Sequence, residues 1–105
     1  MTMAAHAQSA PLTPVFSEPS APDLVLNPND VHMETNPFSD PDPLDQHLAS
    51  TWEIWTVAPV QRIWIADTVT GLEKLHAHLG DGTFENSHLG LTRLWADTQF
   101  TLRVR

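Results

Sequence analysis

The distribution of proline and charge divides the chain near residue 48 and restricts the folded part to a small domain. Eight of the nine prolines lie in residues 1–48, together with seven acidic residues and no lysine, arginine or glycine. Proline interrupts helices and strand ladders, and charges of one sign favour an expanded chain. We therefore expect residues 1–48 to be a disordered acidic tail. Residues 49–105 form the core, which at this size buries roughly 60% of its unfolded surface.

Composition excludes several classes of protein. The chain has no cysteine and a formal net charge of −8. Without thiols it cannot form a disulfide framework or a thiolate zinc site, and the acidic balance argues against a broad phosphate-binding surface. It has neither a basic and apolar leader nor an apolar run that could cross a bilayer. We expect a protein that is located in the cytoplasm, with a nuclear location also allowed by the composition, and that has no membrane partner.

Alternating apolar residues predict the strands of the core. Thr51–Val57 and Arg62–Ala66 are rich in β-branched and aromatic residues and alternate as strands do, so they predict an antiparallel pair. Leu91–Trp95 and Phe100–Val104 are further strand candidates, the second with a regular alternation.

Between these pairs the sequence predicts one amphipathic helix, over Thr70–Leu79. Thr70 and Glu73 match a capping box, and Gly80 is placed to end the helix. The apolar stripe at helical spacing consists of Val69, Leu72, Leu75, His76 and Leu79. The predicted fold class is α+β, a mostly antiparallel curved sheet in the order strand, strand, helix, strand, strand, backed by this helix.

The histidines do not predict a metal centre. On a helix, His76 and His78 would be separated by about 200° around the axis and could not bind one ion together. No serine lies in a nucleophile elbow and no glycine-rich loop precedes a helix. We therefore expect no metal, no cofactor and no enzymatic activity.

Tryptophan is the most informative residue type of the core. All four tryptophans lie in residues 49–105. Most are expected in the core, but the predicted strands carry large apolar residues on both faces, so some indole is expected on the face that the helix leaves open. An exposed indole could stack on a nucleic-acid base, a contact worth about 1–3 kcal/mol.

Three motifs in register resemble the eukaryotic translation initiation factor 4E family of cap-binding proteins. The first is His47-Leu48 followed by Trp52 and Trp55, and the second is Asp67-Thr68-Val69 followed by Leu72, Leu75, His78 and Leu79. The third is Gly90-Leu91, then Leu94-Trp95 and Asp97. The resemblance covers residues 47–97, about the first half of that family's fold.

The resemblance implies a translation initiation factor that binds the 7-methylguanosine cap of messenger RNA. Trp95 matches one of the two tryptophans that enclose the base in the family, Trp64 is the candidate for the other, and Asp97 is the candidate acceptor for the base edge. Ala96 replaces the family's glutamate, so weak cap affinity is expected in this chain. Stacking of indole on a cationic methylated base is physically sound.

The family also implies protein partners, namely initiation factor 4G and the 4E-binding proteins. His47, Leu48 and Val69 match the partner-binding positions, whereas Glu73 stands where the family has an exposed tryptophan. An alternative interpretation is a small protein-interaction or regulatory adaptor with no nucleic-acid ligand, in which the tryptophan-rich sheet is the partner surface.

Overall fold

The structure is a computed structural model that describes residues 15–21, 24–36, 49–71 and 75–105. Among these residues no helix is long and apolar enough to cross a membrane. The described residues form two short 3-10 helices, Leu79–Asp81 and Asn86–His88. They also form the strands β1 (Phe16–Glu18), β2 (His32–Thr35), β3 (Ser50–Val57), β4 (Val60–Val69), β5 (His76–His78), β6 (Thr83–Phe84) and β7 (Phe100–Val104).

A four-stranded antiparallel sheet in the order β6-β4-β3-β7 forms the larger part of the fold. Its centre is the β3–β4 hairpin, which closes at the Val57–Val60 pair, and β7 pairs with the other edge of β3. The hairpin and β7 confirm three of the predicted strands, and the hairpin confirms the antiparallel pairing of the first two.

A second, three-stranded antiparallel sheet in the order β1-β2-β5 shares one core with the first. The large sheet contributes Trp52, Ile54 and Trp64, and the small sheet contributes Met33 and Ala77, all fully buried. Met33 and Ala77 are directly paired across β2 and β5. Because side chains alternate along a strand, the residues that flank this pair lie on the outer face of the small sheet.

The helix predicted over Thr70–Leu79 is wrong in the part that the structure describes. Val69, expected on the apolar stripe of that helix, is the last residue of β4 and is half-buried. His76–His78 form β5, and Leu79–Asp81 form a single 3-10 turn. Residues 72–74 lie outside the described residues. The described fold is therefore mostly antiparallel sheet, with a second small sheet where the backing helix was expected.

Strand pairing explains why β5 replaces the expected helix. β5 is paired with β2, and the amide of Thr35 donates to the carbonyl of Leu75, 2.9 Å away, just before β5. The sequence His-Ala-His places Ala77 in the core and both histidines outside, so a strand buries the apolar residue with period two. The helix was predicted from the spacing of apolar residues alone, which does not reveal the pairing with β2.

The strand predicted over Leu91–Trp95 is also wrong, because these residues form an irregular loop. Gly90 starts the loop with a φ of +82°, a left-handed conformation that favours glycine. Leu94 is buried, and its amide donates to the carbonyl of Pro28 at 3.0 Å. The loop is thus attached to the N-terminal segment by this hydrogen bond and by the burial of Leu94, and not by pairing with a neighbouring strand.

Strands β1 and β2 both come from residues 1–48, the segment expected to be a disordered tail. Val31, Met33 and Thr35 are buried, whereas His32 and Glu34 between them are half-exposed. This alternation is typical of a strand with one buried face. The overall composition of residues 1–48, which is acidic and rich in proline, does not reveal it. Residues 1–14, 22–23 and 37–48 lie outside the described residues, and the division of the chain near residue 48 remains a prediction.

Candidate metal centre

Three histidines meet on the outer face of the small sheet. His32 on β2 is directly opposite His78 on β5, and His76 lies on the same face of β5 because it is two residues away. One ring nitrogen from each of the three lies within 4.8 Å of the others. We call His32, His76 and His78 the histidine cluster.

The rings of the histidine cluster are close enough to share one ion. The centroid of His78 lies 4.3 Å from that of His32 and 4.6 Å from that of His76, and the His32–His76 distance is 5.8 Å. In a tetrahedral zinc site the metal–nitrogen bonds of 2.0–2.1 Å place two ligand nitrogens about 3.4 Å apart. The nitrogens of the histidine cluster, now within 4.8 Å of one another, would have to approach by up to about 1.4 Å to reach that separation.

Each ring of the histidine cluster also faces one carboxylate. Nε2 of His32 lies 2.8 Å from Oδ1 of Asp30. Nδ1 of His76 lies 3.7 Å from Oε2 of Glu34, and Nδ1 of His78 lies 3.6 Å from Oδ2 of Asp81. The His32–Asp30 contact is within hydrogen-bond distance, whereas the contacts of His76 and His78 are longer, at ion-pair distance. Metal-binding histidines commonly have such partners, which fix the tautomer and strengthen the ligand.

The backbone around the histidine cluster is itself well anchored. His32, Glu34 and His76 belong to the paired segments of β2 and β5. Asp81 accepts a hydrogen bond of 2.7 Å from the amide of His78, so the turn after β5 is tied to the strand. The side chains therefore project from elements whose positions are set by strand pairing and by the core beneath them.

The Nε2 atom of His76 is buried and has no hydrogen-bond partner among the described residues. Leaving a buried polar atom unsatisfied costs about 1–3 kcal/mol, so such atoms are rare and call for an explanation. Here the atom belongs to a ring whose other nitrogen faces Glu34. A metal ion bound by the histidine cluster would satisfy it.

These observations overturn the argument that His76 and His78 cannot bind one ion together. That argument placed them on a helix, where a separation of two residues points them in different directions. On β5 the same separation puts both on one face. No sequence motif marks His32 or the carboxylates of Asp30, Glu34 and Asp81, although the alternation of residues 31–35 was a signal for a strand.

Of the two tryptophans expected to enclose a nucleobase, Trp64 is fully buried in the core. Its Nε1 donates a hydrogen bond of 3.0 Å to the carbonyl of Leu79. Both faces of this indole are covered by the core, so Trp64 is not available for stacking on a ligand in this structure.

Trp95 is 46% exposed and lies at an open pocket of about 400 Å³. The pocket is lined by Pro28, Leu91, Arg93, Leu94, Trp95 and Ala96. It lies on the loop after Gly90 and not in a hollow of the sheet. We call it the Trp95 pocket.

One neighbour of Trp95 is the buried ring of His88. The ring centroids are 4.3 Å apart, and the backbone amide of Trp95 donates to Nε2 of His88 at 3.3 Å. Burial lowers the pKa of His88, which favours the neutral ring that can accept this hydrogen bond. His88 thus anchors the loop that carries Trp95.

The remaining residues implied by the resemblance are not brought into one site. Asp97 is exposed in the turn after Trp95, with a left-handed φ of 52°. Val69 is half-buried at the end of β4. His47 and Leu48 lie outside the described residues, as does Glu73.

No protein-family model matches this chain, and no curated protein or solved structure matches it either.

Proposed function

We propose that the protein binds one divalent transition-metal ion, with zinc as the reference ion, through His32, His76 and His78. The observation that carries the proposal is the convergence of three imidazoles, one ring nitrogen of each lying within 4.8 Å of the others. A buried nitrogen without a hydrogen-bond partner among the described residues, Nε2 of His76, belongs to one of these rings. Imidazole nitrogen suits zinc, copper, nickel and iron, and three histidines are a known zinc ligand set.

The charge of the surroundings favours a cation. Three neutral imidazoles leave the charge of the ion uncompensated, and the carboxylates of Asp30, Glu34 and Asp81 each lie within 4 Å of a ligand ring. These groups attract a divalent cation and make the imidazoles better donors. The same carboxylates give a structural reason for the clustering of the rings when no metal is bound.

A bound ion would join two distant parts of the sequence. His32 comes from the N-terminal segment, whereas His76 and His78 come from the core side of the chain, so the ion would bridge β2 and β5. Because a ligand that binds only the folded state stabilises it, metal binding should strengthen the attachment of the N-terminal strands. We therefore assign the metal a binding and stabilising role.

Calorimetric titration of the full chain with zinc at neutral pH tests this proposal. The expected result is one ion per chain, with the affinity lowered at least about tenfold in each of His32→Ala, His76→Ala and His78→Ala. The control is His88→Gln, which removes the buried histidine that anchors the Trp95 loop and should retain the affinity provided that circular dichroism shows it folded. Unchanged affinity in all three alanine variants would refute the site.

A second candidate function is the cap binding implied by the resemblance to the initiation factor 4E family. The observation that favours it is the exposed indole of Trp95, with Arg93 beside it in the Trp95 pocket. Stacking on a cationic methylated base and attraction of Arg93 to phosphate are the contacts this pocket could offer. With Trp64 buried, a single indole supports the base, so we expect weak affinity.

Fluorescence titration with methylated and unmethylated cap analogues separates cap binding from the adaptor interpretation. Cap binding predicts quenching that saturates, prefers the methylated base and disappears in Trp95→Ala. Quenching without a preference for methylation, or none, would count against cap binding. The adaptor interpretation instead predicts association that depends on protein concentration. Its partner surface was expected on the tryptophan-rich sheet, but Trp52 and Trp64 are buried there, so the exposed apolar residues Leu89, Leu91 and Trp95 are the surface that remains for it.

A further inference from the structure

The histidine cluster supplies fewer ligands than a closed metal site needs. Structural zinc sites have four protein ligands, whereas a site with three protein ligands keeps a position for water or another small ligand. Among the described residues, the group whose ligand atoms converge consists of His32, His76 and His78 alone. A tetrahedral ion bound there would have one further position to fill.

The geometry of the small sheet directs that position outwards. Met33 and Ala77 fill the inner face beneath the histidine cluster and are fully buried. The side chains of His32, His76 and His78 are 37%, 37% and 48% exposed. The core therefore lies on one side of the ion and solvent on the other, so a ligand can reach the fourth position from solution.

The charge around the histidine cluster decides which ligand is favoured there. The ion carries two positive charges and the three imidazoles carry none, while Asp30, Glu34 and Asp81 contribute three negative charges when ionised. The site is then negative overall by one charge. A small anion entering it would be repelled by the carboxylates, whereas a neutral donor would not be.

We propose that the metal-loaded protein binds one neutral nitrogen donor of the imidazole type at this position, in preference to a small anion. This inference rests on the proposed metal site. The exchange forms one bond from the nitrogen lone pair to the metal and releases the bound water, with no change of oxidation state. Free imidazole and the histidine side chain of another protein both supply this donor.

Cobalt(II) in place of zinc makes the fourth position visible, because its absorption bands respond to the ligands around it. The full-length cobalt-loaded protein is titrated separately with imidazole and with azide, a monodentate anion. The expected result is a saturable spectral change with imidazole, at a concentration at least about tenfold lower than azide requires.

A pair of charge variants tests the role of the carboxylates. Glu34→Gln removes one negative charge beside His76 and should strengthen azide binding severalfold at saturating cobalt, with little effect on imidazole. The matched control is Asp97→Asn, which removes the same charge from the exposed turn after Trp95, where the left-handed φ suits asparagine. It should leave both titrations unchanged.

The outcomes separate this inference from the metal site itself. Failure of cobalt to bind would refute the metal site. Cobalt binding with a spectrum that neither imidazole nor azide alters would show a closed site with a fourth ligand from the protein, and would overturn the inference while the metal site stands. Azide binding as tight as imidazole binding would overturn the preference for a neutral donor.

Discussion

Replacement of Gly82 by alanine should destabilise the protein, because this glycine lies against the buried indole of Trp64. A Cβ atom built on Gly82 would lie 2.5 Å from Cζ2 of Trp64 and 2.5 Å from the carbonyl oxygen of Ile65. Carbon atoms in contact are normally about 3.5–4.0 Å apart, so the overlap is about 1 Å. Trp64 is fully buried and hydrogen-bonded to Leu79, so it cannot recede from the new methyl group.

The magnitude follows from two opposing effects. Overpacking of a well-packed core costs about 1–3 kcal/mol. Alanine also restricts the unfolded chain more than glycine does, and this effect raises the free energy of unfolding by about 0.4–1 kcal/mol. The backbone at Gly82 is extended, with a φ of −134°, so conformational strain contributes little. Because the overlap of about 1 Å is severe, we expect the upper part of the resulting range, a net fall in the free energy of unfolding of up to about 2.6 kcal/mol for Gly82→Ala.

Gly80→Ala is the matched control, two residues away. A Cβ atom on Gly80 would have no neighbouring atom within 4 Å. This variant should therefore be as stable as the wild type, or more stable by about 0.4–1 kcal/mol. The assay is urea unfolding of both variants, followed by tryptophan fluorescence. Equal midpoints for Gly82→Ala and Gly80→Ala would refute the packing argument.

Three further predictions concern stability. Zinc at a hundred times its dissociation constant should raise the free energy of unfolding by about 2.7 kcal/mol, measured in urea, and an equal rise in His32→Ala would contradict the site. Because burial lowers the pKa of His88 from its ordinary value of 6.5, the metal-free protein should lose stability as the pH falls below 6.5. Urea midpoints across this range should fall less in His88→Gln, and an identical fall would contradict the argument. Trp64→Phe removes the donor to the carbonyl of Leu79 and should cost about 1–3 kcal/mol in urea unfolding, so an unchanged midpoint would count against that hydrogen bond.

The large sheet could be predicted from the sequence because its signals are local. Residues 51–57 alternate on their own, their partner strand follows after a short turn, and residues 100–104 repeat the pattern. The β3–β4 hairpin closes at the Val57–Val60 pair, and its register shifts at two further places, between Ser50 and Trp52 and between Ile54 and Trp55, which the alternation does not predict. Such patterns need no knowledge of distant residues, so the three strands and the hairpin pairing could be predicted, whereas the pairing of β7 with β3 could not.

The small sheet could not be predicted in the same way because its strands depend on each other. The His-Ala-His segment of β5 is short, and the leucines around it also fit a helical stripe. What decides in favour of a strand is the pairing with β2, more than forty residues earlier in a segment of disordered composition. Tertiary pairing thus overrides a local helical preference.

The histidine cluster could not be predicted from the sequence for the same reason. His76 and His78 share a face only if the segment is a strand, and His32 joins them only if β2 is the neighbour. The exposure of Trp95 was expected from the sequence, but its place on a loop beside His88 was not. For Trp64 the sequence prediction of a ligand-stacking indole was wrong, because its indole is buried in the core.

X-ray absorption spectroscopy of the zinc-loaded full-length protein is the most direct test of the metal centre. We expect three imidazole nitrogens at about 2.0–2.1 Å from the zinc and one further light ligand, with the imidazole signal reduced in His76→Ala. A shell of oxygen ligands alone, or a spectrum with fewer than three imidazoles in the wild type, would contradict it.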